Sequence, residues 1–286
     1  MNIRSLLYFK FNSSFLRNIL SLWFREGHFY KIPFGAIKGK KLYYRKDINF
    51  HSTMGVWEKD SLQSLNKLFK RFGLDKQDTV IADVGANIGY YSLFFSKYLS
   101  ASARIFAFEP SSTILPILRK NLEANEVNNV TVLELACSDH TGNEVFFLGE
   151  HHHESSILGD WSTNATAGTK VTVQAVTLDN YFENFNQGQY PDLIKMDIEG
   201  GGIYALKGCV NCITQKRPFI LIESHNQGED QAVSQVLMQY NYEAYRTTND
   251  QWVINKNTQH PDMDGVWGTL LLMPAERKPD FIANPT

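Results

Sequence analysis

Cysteine is scarce in this 286-residue chain. Cys137, Cys209 and Cys212 are too few and too unevenly placed for a disulfide framework, which suits a reducing compartment and makes the cytoplasm the expected location. An excess of charge of either sign is missing too: 28 Lys and Arg stand against 30 Asp and Glu, a formal net charge of -2. Nucleic-acid binders carry a basic face, so no nucleic-acid partner is expected. A long uncharged apolar run is also lacking. The apolar residues from Leu6 to Phe24 are interrupted by Lys10 and Arg17 and flanked by Arg4 and Arg25, which excludes a plain membrane span. No small-residue cleavage site follows, as it would after a signal peptide. Phe15/Leu16, Ile19/Leu20 and Trp23 recur instead at helical spacing. A helix packed on the core, or on a second subunit as in a homo-oligomer, is preferred here to one resting on a membrane surface. The remaining composition, 43% hydrophobic, fits a soluble enzyme of one large or two small domains.

What the chain does have is a sharp transition between residues 79 and 92. Thr79-Val80-Ile81-Ala82-Asp83-Val84 is short, apolar and β-branched, as a strand buried on both faces would be, and Leu93, Phe94, Lys97 and Tyr98 follow at helical spacing. Between them Gly85 and Gly89 allow a tight turn and the approach of a ligand, with the first N–H groups of the helix facing it. The next strand, Arg104-Ile105-Phe106-Ala107-Phe108, ends in Glu109. There a carboxylate can reach both ribose hydroxyls of a nucleoside. One element of the dinucleotide pattern is absent. G-x-G-x-x-G has a middle glycine that lets the backbone close on a pyrophosphate, and Asn87 occupies that place. Asp83 would also sit badly beside a phosphate but well near a cationic amino-acid head group.

Asp83-Val84-Gly85-Ala86-Asn87-Ile88-Gly89, Phe108-Glu109-Pro110 and Lys195-Met196-Asp197-Ile198-Glu199-Gly200 together resemble three signatures of the FkbM-type S-adenosylmethionine-dependent methyltransferases. The similarity runs from about Gly55 to Met273. It implies an α/β, doubly wound, Rossmann-like class I methyltransferase fold with a seven-stranded, mostly parallel sheet. S-adenosyl-L-methionine is the implied cofactor, and the implied reaction is O-methylation of a sugar or glycan, polyketide or peptide natural product. The glycine-x-aromatic-Glu entry of the family is matched at Gly55-Val56-Trp57-Glu58, which puts Glu58 near the cofactor cleft. Two other readings stand beside this one: a domain impaired in catalysis that binds cofactor or partner, and a nicotinamide oxidoreductase.

Residues 1–54 read as an extension made of the helix and a β-hairpin, with Phe29-Tyr30-Lys31-Ile32 and Lys41-Leu42-Tyr43-Tyr44-Arg45 around Gly35 and Gly39. Residues 55–286 read as the methyltransferase domain. A helix is predicted over Ser61 to Phe72, another over Thr113 to Glu126, and a third strand over Val130 to Leu135. Ser138 or Asp139, just after that strand, is a candidate partner of the adenine. The alternative is a turn built on Asp139 and Gly142.

His151-His152-His153-Glu154 lies in a long segment read as a lid, and Cys209-x-x-Cys212 in the helix after strand four. Neither spacing makes a convincing metal site, so no metal is expected. Asp197 and Glu199 end the fourth strand, at the point where cofactor and acceptor should meet. His225, at the end of strand five, is the candidate general base, because an imidazole titrates near neutrality. The family pattern continues Glu-Gly-Ala-Glu, whereas this chain has Glu199-Gly200-Gly201-Gly202. The second acid is missing. Restoring it with Gly202→Glu is expected to be tolerated, since a helix N-terminus favours negative charge.

Overall fold

The computed structural model describes residues 24–46, 49–148 and 169–282. Residues 6–23 of the expected N-terminal helix, and His151 to Glu154 with the surrounding lid segment, lie outside them. The chain opens on a hairpin, β1 (Phe29–Lys31) and β2 (Lys41–Tyr43), then forms helices α1 (Phe50–Met54) and α2 (Lys59–Phe72). Alternating units follow: β3 (Val80–Val84), α3 (Tyr90–Tyr98), β4 (Arg104–Phe108), α4 (Leu115–Ala124) and β5 (Val130–Leu133). A second sheet comes next, formed by β6 (Ala136–Cys137), β7 (Gly142–Leu148) and β8 (Thr169–Val176), after which α5 (Leu178–Asn184) returns the chain to the main sheet at β9 (Leu193–Met196). Helix α6 (Gly202–Lys207), β10 (Phe219–Ser224), α7 (Gln227–Gln239), β11 (Tyr242–Arg246), β12 (Gln251–Trp252), β13 (Gly268–Pro274) and α8 (Lys278–Ile282) complete it.

The main sheet has the order β12-β11-β13-β10-β9-β3-β4-β5. The five strands from β10 to β5 are parallel, and β13, β11 and β12 close the other side antiparallel. There are thus eight strands rather than the expected seven, because the chain turns back after β11 and adds the two-residue β12 to the edge. The central strands are mostly apolar because both faces are covered. On β10, Phe219 and Leu221 enter a core shared with α2, α3 and α4, while Ile220 and Ile222 enter the core under α5, α6 and α7. The hairpin residues Ile32, Ile37 and Leu42 belong to the first of these cores.

Two local expectations are corrected. The third strand does not run to Leu135. β5 is the edge of the main sheet and has no partner beyond it, so the chain leaves after Leu133 and Ala136-Cys137 pairs with β8. Cys209 and Cys212 do not share one helix either. Helix α6 stops at Lys207, and at Gly208 the backbone packs so closely that a Cβ would lie 2.1 Å from the Ser138 carbonyl oxygen. Cys212 then opens a π-helical turn.

Strand order reverses between β3 and β9, which lie side by side with Asp83 opposite Lys195. Lys195 is only 3% exposed. Its ammonium lies 3.6 Å from Asp83 Oδ1 and 3.9 Å from Asp197 Oδ2, and it donates to the carbonyls of Gly85 (2.8 Å) and Val84 (3.4 Å). Asp83 is wholly buried and also accepts from the Ser92 hydroxyl at 2.6 Å. Burial nevertheless raises its pKa above the usual carboxylate value, against the pull of Lys195 and Ser92. Removing one member of such a pair costs ~3–5 kcal/mol. Asp83 can escape part of that by taking up a proton, so Lys195→Met is expected to lower unfolding stability in urea by about 3 kcal/mol. The double variant with Asp83→Asn should lose less than the sum of the two single losses.

Candidate active site

Register fixes which residues meet where the strands end. Val84 lies opposite Phe108 and Met196, and Met196 opposite Ile222. One position further, Glu109, Gly85, Asp197 and Glu223 therefore stand in a row across β4, β3, β9 and β10. At this row opens a small cleft, continuous with solvent. Its apolar walls include Ile114 from the start of α4, Leu135, Cys137 and, from the second sheet, Phe146; its polar lining includes Asn87, Glu109, Ser111, Asp197 and Glu199. Among the described residues no Lys, Arg or His lines it.

Glu109 is 6% exposed and held by two backbone donors, Asn87 N to Oε2 at 2.9 Å and Ser111 N to Oε1 at 2.8 Å. A carboxylate has about four acceptor sites, so one site on each oxygen remains for a vicinal diol. Burial pushes Glu109 up to about 7, although both N–H groups and Lys195 favour its ionised form.

The glycine loop is closed by its own hydrogen bonds. Its N–H groups do not face the cleft. Gly85 and Ala86 donate to the Phe108 carbonyl, Asn87 to Glu109, Ile88 to the Asn87 side chain and Gly89 to the Ala86 carbonyl. A phosphate would find no donor free there. Gly85 is required because its φ is +72° and a Cβ would lie 2.0 Å from the Asp197 carbonyl oxygen. Gly89 and Asp83 do not line the cleft. The first packs against Leu118, and the second is taken by Lys195 and Ser92. Ser138 and Asp139 lie outside it as well, the Ser138 hydroxyl donating to Glu144 and Asp139 contacting His140. Cys137 and Phe146 stand at that end instead.

At the other end the structure gathers Glu58, Asp197, Glu199, Glu223 and His225. Glu58 caps α2 and accepts from the Tyr91 hydroxyl at 3.0 Å. Burial, then Asp197, raises its pKa. His225 Nε2 is 3.4 Å from Asp197 Oδ1, 3.6 Å from Glu199 Oε2 and 3.9 Å from Glu223 Oε1. Burial opposes charge on this imidazole, but Glu229, Asp197, Glu199 and Glu223 together outweigh it and push His225 up to about 9. It is therefore protonated at neutral pH in this arrangement, unlike the free base expected from an unperturbed histidine. Glu223 is pushed up to about 8, by burial first and then by Asp197 and Glu58.

The missing acid has a replacement in space. Glu229, fully buried in the first turn of α7, accepts from Gly202 N at 2.8 Å and from His225 N at 2.7 Å. A Cβ at position 202 would lie 2.6 Å from Glu229 Oε1. Gly202 is thus the space that the Glu229 carboxylate occupies, which overturns the expectation that Gly202→Glu is tolerated. Glu229 and Lys195 were both missed from sequence: one lies about thirty residues from the signature it completes, and the other reads as an interruption of an apolar strand.

Comparison with known proteins agrees with this geometry. The sequence profile described as the methyltransferase FkbM domain matches residues 83–263. The hexuronic acid methyltransferase AglP of Haloferax volcanii is 26% identical over 162 residues, 57% of this chain and 62% of that protein. The methyltransferase sdnD of Sordaria araneosa is 27% identical over 154 residues, 45% of this chain and 59% of that protein. The chain spans about six-tenths of the length of these curated relatives. Among solved structures, the methyltransferase FkbM from Methylobacillus flagellatus superposes with a TM-score of 0.43 at 20% identity, covering 73% of this chain and 47% of that one.

Two outcomes are expected from this geometry. Ribose hydroxyls need the ionised Glu109, so affinity for S-adenosylhomocysteine should fall as pH is lowered through about 7. The folded state binds this proton more tightly than the unfolded chain, so Glu109 itself adds stability towards acid and withdraws it as pH rises towards 7. Calorimetric titrations and thermal melts across that range should move in opposite directions. Gly202→Glu should lower stability by ~1–3 kcal/mol, the cost of leaving buried groups unsatisfied, and adding Glu229→Ala should recover part of that loss in urea titrations.

Proposed function

The chain belongs to the FkbM methyltransferase domain family, and on that premise we propose that it transfers a methyl group from S-adenosylmethionine to a hydroxyl oxygen of a sugar or glycan. Polyketide and peptide acceptors come second. The relative from Haloferax volcanii is by name a methyltransferase of a sugar acid, and sugar hydroxyls are well served by the acceptor oxygens at the rim of this cleft. The observation that carries the reading is the row from Glu109 to Glu223: a clamped carboxylate for a diol at one end, and clustered carboxylates for a cation and a hydroxyl at the other.

The cofactor, when bound, supplies a methyl group already activated by its sulfonium. The chain must hold the nucleoside, align the acceptor and receive its proton. Glu109 would hold the ribose, and the walls at Ile114, Leu135, Cys137 and Phe146 the base. Asp197 and Glu199 line the cleft where a positive charge is favoured. Their carboxylate oxygens would take the acceptor proton, since His225 is held protonated by its neighbours and serves to orient them. Alignment provides effective molarities of ~10⁵–10⁸ M and a general base ~10²–10⁴-fold more.

The nicotinamide alternative is disfavoured by a cleft lined, among the described residues, by no cation, and by a loop whose N–H groups are taken within the protein. The silent-domain alternative rests on the absent acid, beside whose place the buried Glu229 carboxylate lies. Titration calorimetry should find binding of S-adenosylhomocysteine and none of NAD. Glu109→Ala should weaken that binding about tenfold or more, the loss of hydrogen bonds to a charged group at ~1.5–3 kcal/mol. Release of S-adenosylhomocysteine in the presence of neutral sugars then tests the acceptor. An unchanged affinity in the folded variant, or binding of NAD instead, refutes the assignment.

A further inference from the structure

The cluster at the cleft rim has the composition and spacing of a metal centre, at a place where the sequence reading expected none. One ligand atom from each of Asp197, Glu223 and His225 lies within 4.8 Å of the other two. Metal–ligand bonds of ~2.0–2.2 Å place neighbouring ligand atoms about 3 to 3.6 Å apart. The His225 Nε2 to Asp197 Oδ1 distance, 3.4 Å, falls inside that range, and the distance to Glu223 Oε1, 3.9 Å, exceeds it by a few tenths of an ångström. Charge-assisted hydrogen bonds are shorter, at ~2.7–2.9 Å. The Asp197 oxygen thus stands from Nε2 at the spacing of atoms that share a cation, the Glu223 oxygen a little beyond it, and neither at that of a charge-assisted hydrogen bond.

A second observation is independent of the acids. Metal-bound histidines present their other ring nitrogen to a carboxylate or carbonyl, which fixes ring and tautomer. His225 Nδ1 lies 3.5 Å from Glu229 Oε2, and Glu229 is itself buried and fixed by the N–H groups of Gly202 and His225. The arrangement runs carboxylate, imidazole, then an open face. That face is accessible: the side chains of Asp197 and Glu223 are 32% and 36% exposed, while that of His225 is 15% exposed. Charge balance points the same way. Glu58, Asp197, Glu199, Glu223 and Glu229 converge on Lys195 and His225, and Lys195 approaches Asp197 from its other oxygen, Oδ2.

We propose that Asp197, Glu223 and His225 bind one divalent cation of the Mn²⁺ or Zn²⁺ type, which displaces to solvent the Nε2 proton that His225 carries in the metal-free arrangement, with Glu229 orienting the imidazole and Glu199 beside the open face. Two carboxylates and an imidazole suit such an ion. Ca²⁺ asks for six to eight oxygens. Remaining coordination positions take oxygen ligands, water or, on the reading of the previous subsection, the acceptor hydroxyl.

The test uses the full chain, stripped with a chelator and dialysed. Mn²⁺ is titrated in while the signal of the free aqua ion is followed by electron paramagnetic resonance, and Zn²⁺ is titrated by calorimetry. One equivalent should bind. Asp197→Asn and Glu223→Gln should each weaken binding at least tenfold, and Glu229→Gln by ~10–100-fold, with circular dichroism and thermal melting checking that each variant is folded. Failure of the unaltered protein to bind either ion, or binding undiminished in both Asp197→Asn and Glu223→Gln, overturns the proposal, the second result putting the ion elsewhere on the chain. No acceptor and no turnover enter this measurement, so a failed methyl-transfer reading would leave its outcome intact.

Discussion

A buried ammonium organises this structure. Lys195 sits in the middle of β9, where a positive charge is tolerable only if its surroundings answer it. Asp83, Asp197 and the carbonyls of Val84 and Gly85 do so. Those four partners lie on two strands that meet where the strand order reverses, so one charge ties together the elements on which the cleft depends. It also sets the direction of the glycine loop. With the carbonyls of Val84 and Gly85 turned towards Lys195, the N–H groups of Gly85, Ala86 and Asn87 turn towards the end of β4, where Phe108 and Glu109 accept them. The loop therefore positions a carboxylate instead of cradling an anion.

Negative charge at the opposite end is distributed with similar economy. The first position of α6 carries no acid, yet the space above Gly202 holds the Glu229 carboxylate, which reaches in from α7. Glu229 is anchored by two backbone N–H groups and touches His225 directly, so the orientation of that imidazole follows from the first turn of α7. A helix of thirteen residues is a firmer support than a six-residue helix that begins with glycine.

Much of this was legible in the sequence because two-sided burial leaves a plain mark. Val80 to Val84 and Phe219 to Ile222 are nearly unbroken apolar runs, and the acid ending β4 announced Glu109 as part of the cleft lining. Side-chain direction was less legible. Asp83 and Gly89 belong to the signature, but the first is consumed by Lys195 and the second by packing on Leu118, and only the folded backbone tells contact with a ligand from support of the loop. Ser138 and Asp139 were misplaced for a topological reason: β5 ends early, the chain crosses to another sheet, and the residues facing the cleft shift to Leu135 and Cys137. The pairing of Gly202 with Glu229 had no sequence signal at all, since nothing but the packing of α7 against α6 brings them together.

The row formed by Glu109, Gly85, Asp197 and Glu223 also gives the cleft a direction. Parallel strands in register end at one level, so four neighbouring strands contribute four neighbouring residues, and glycine is the one among them that leaves room for the backbone of its neighbour. Because Gly85 has no side chain, the carboxylates on either side of it remain separate features: Glu109 is clamped by N–H groups and faces apolar walls, whereas Asp197 faces Lys195 and His225. A molecule with a neutral, hydroxylated end and a cationic end can satisfy both only in one orientation. Reversing it would place the cation against the apolar walls and leave the acids at the rim unanswered, and in a partly desolvated cleft each of those errors is costly. The polarity of the row thus orients a ligand before any close contact with it is made.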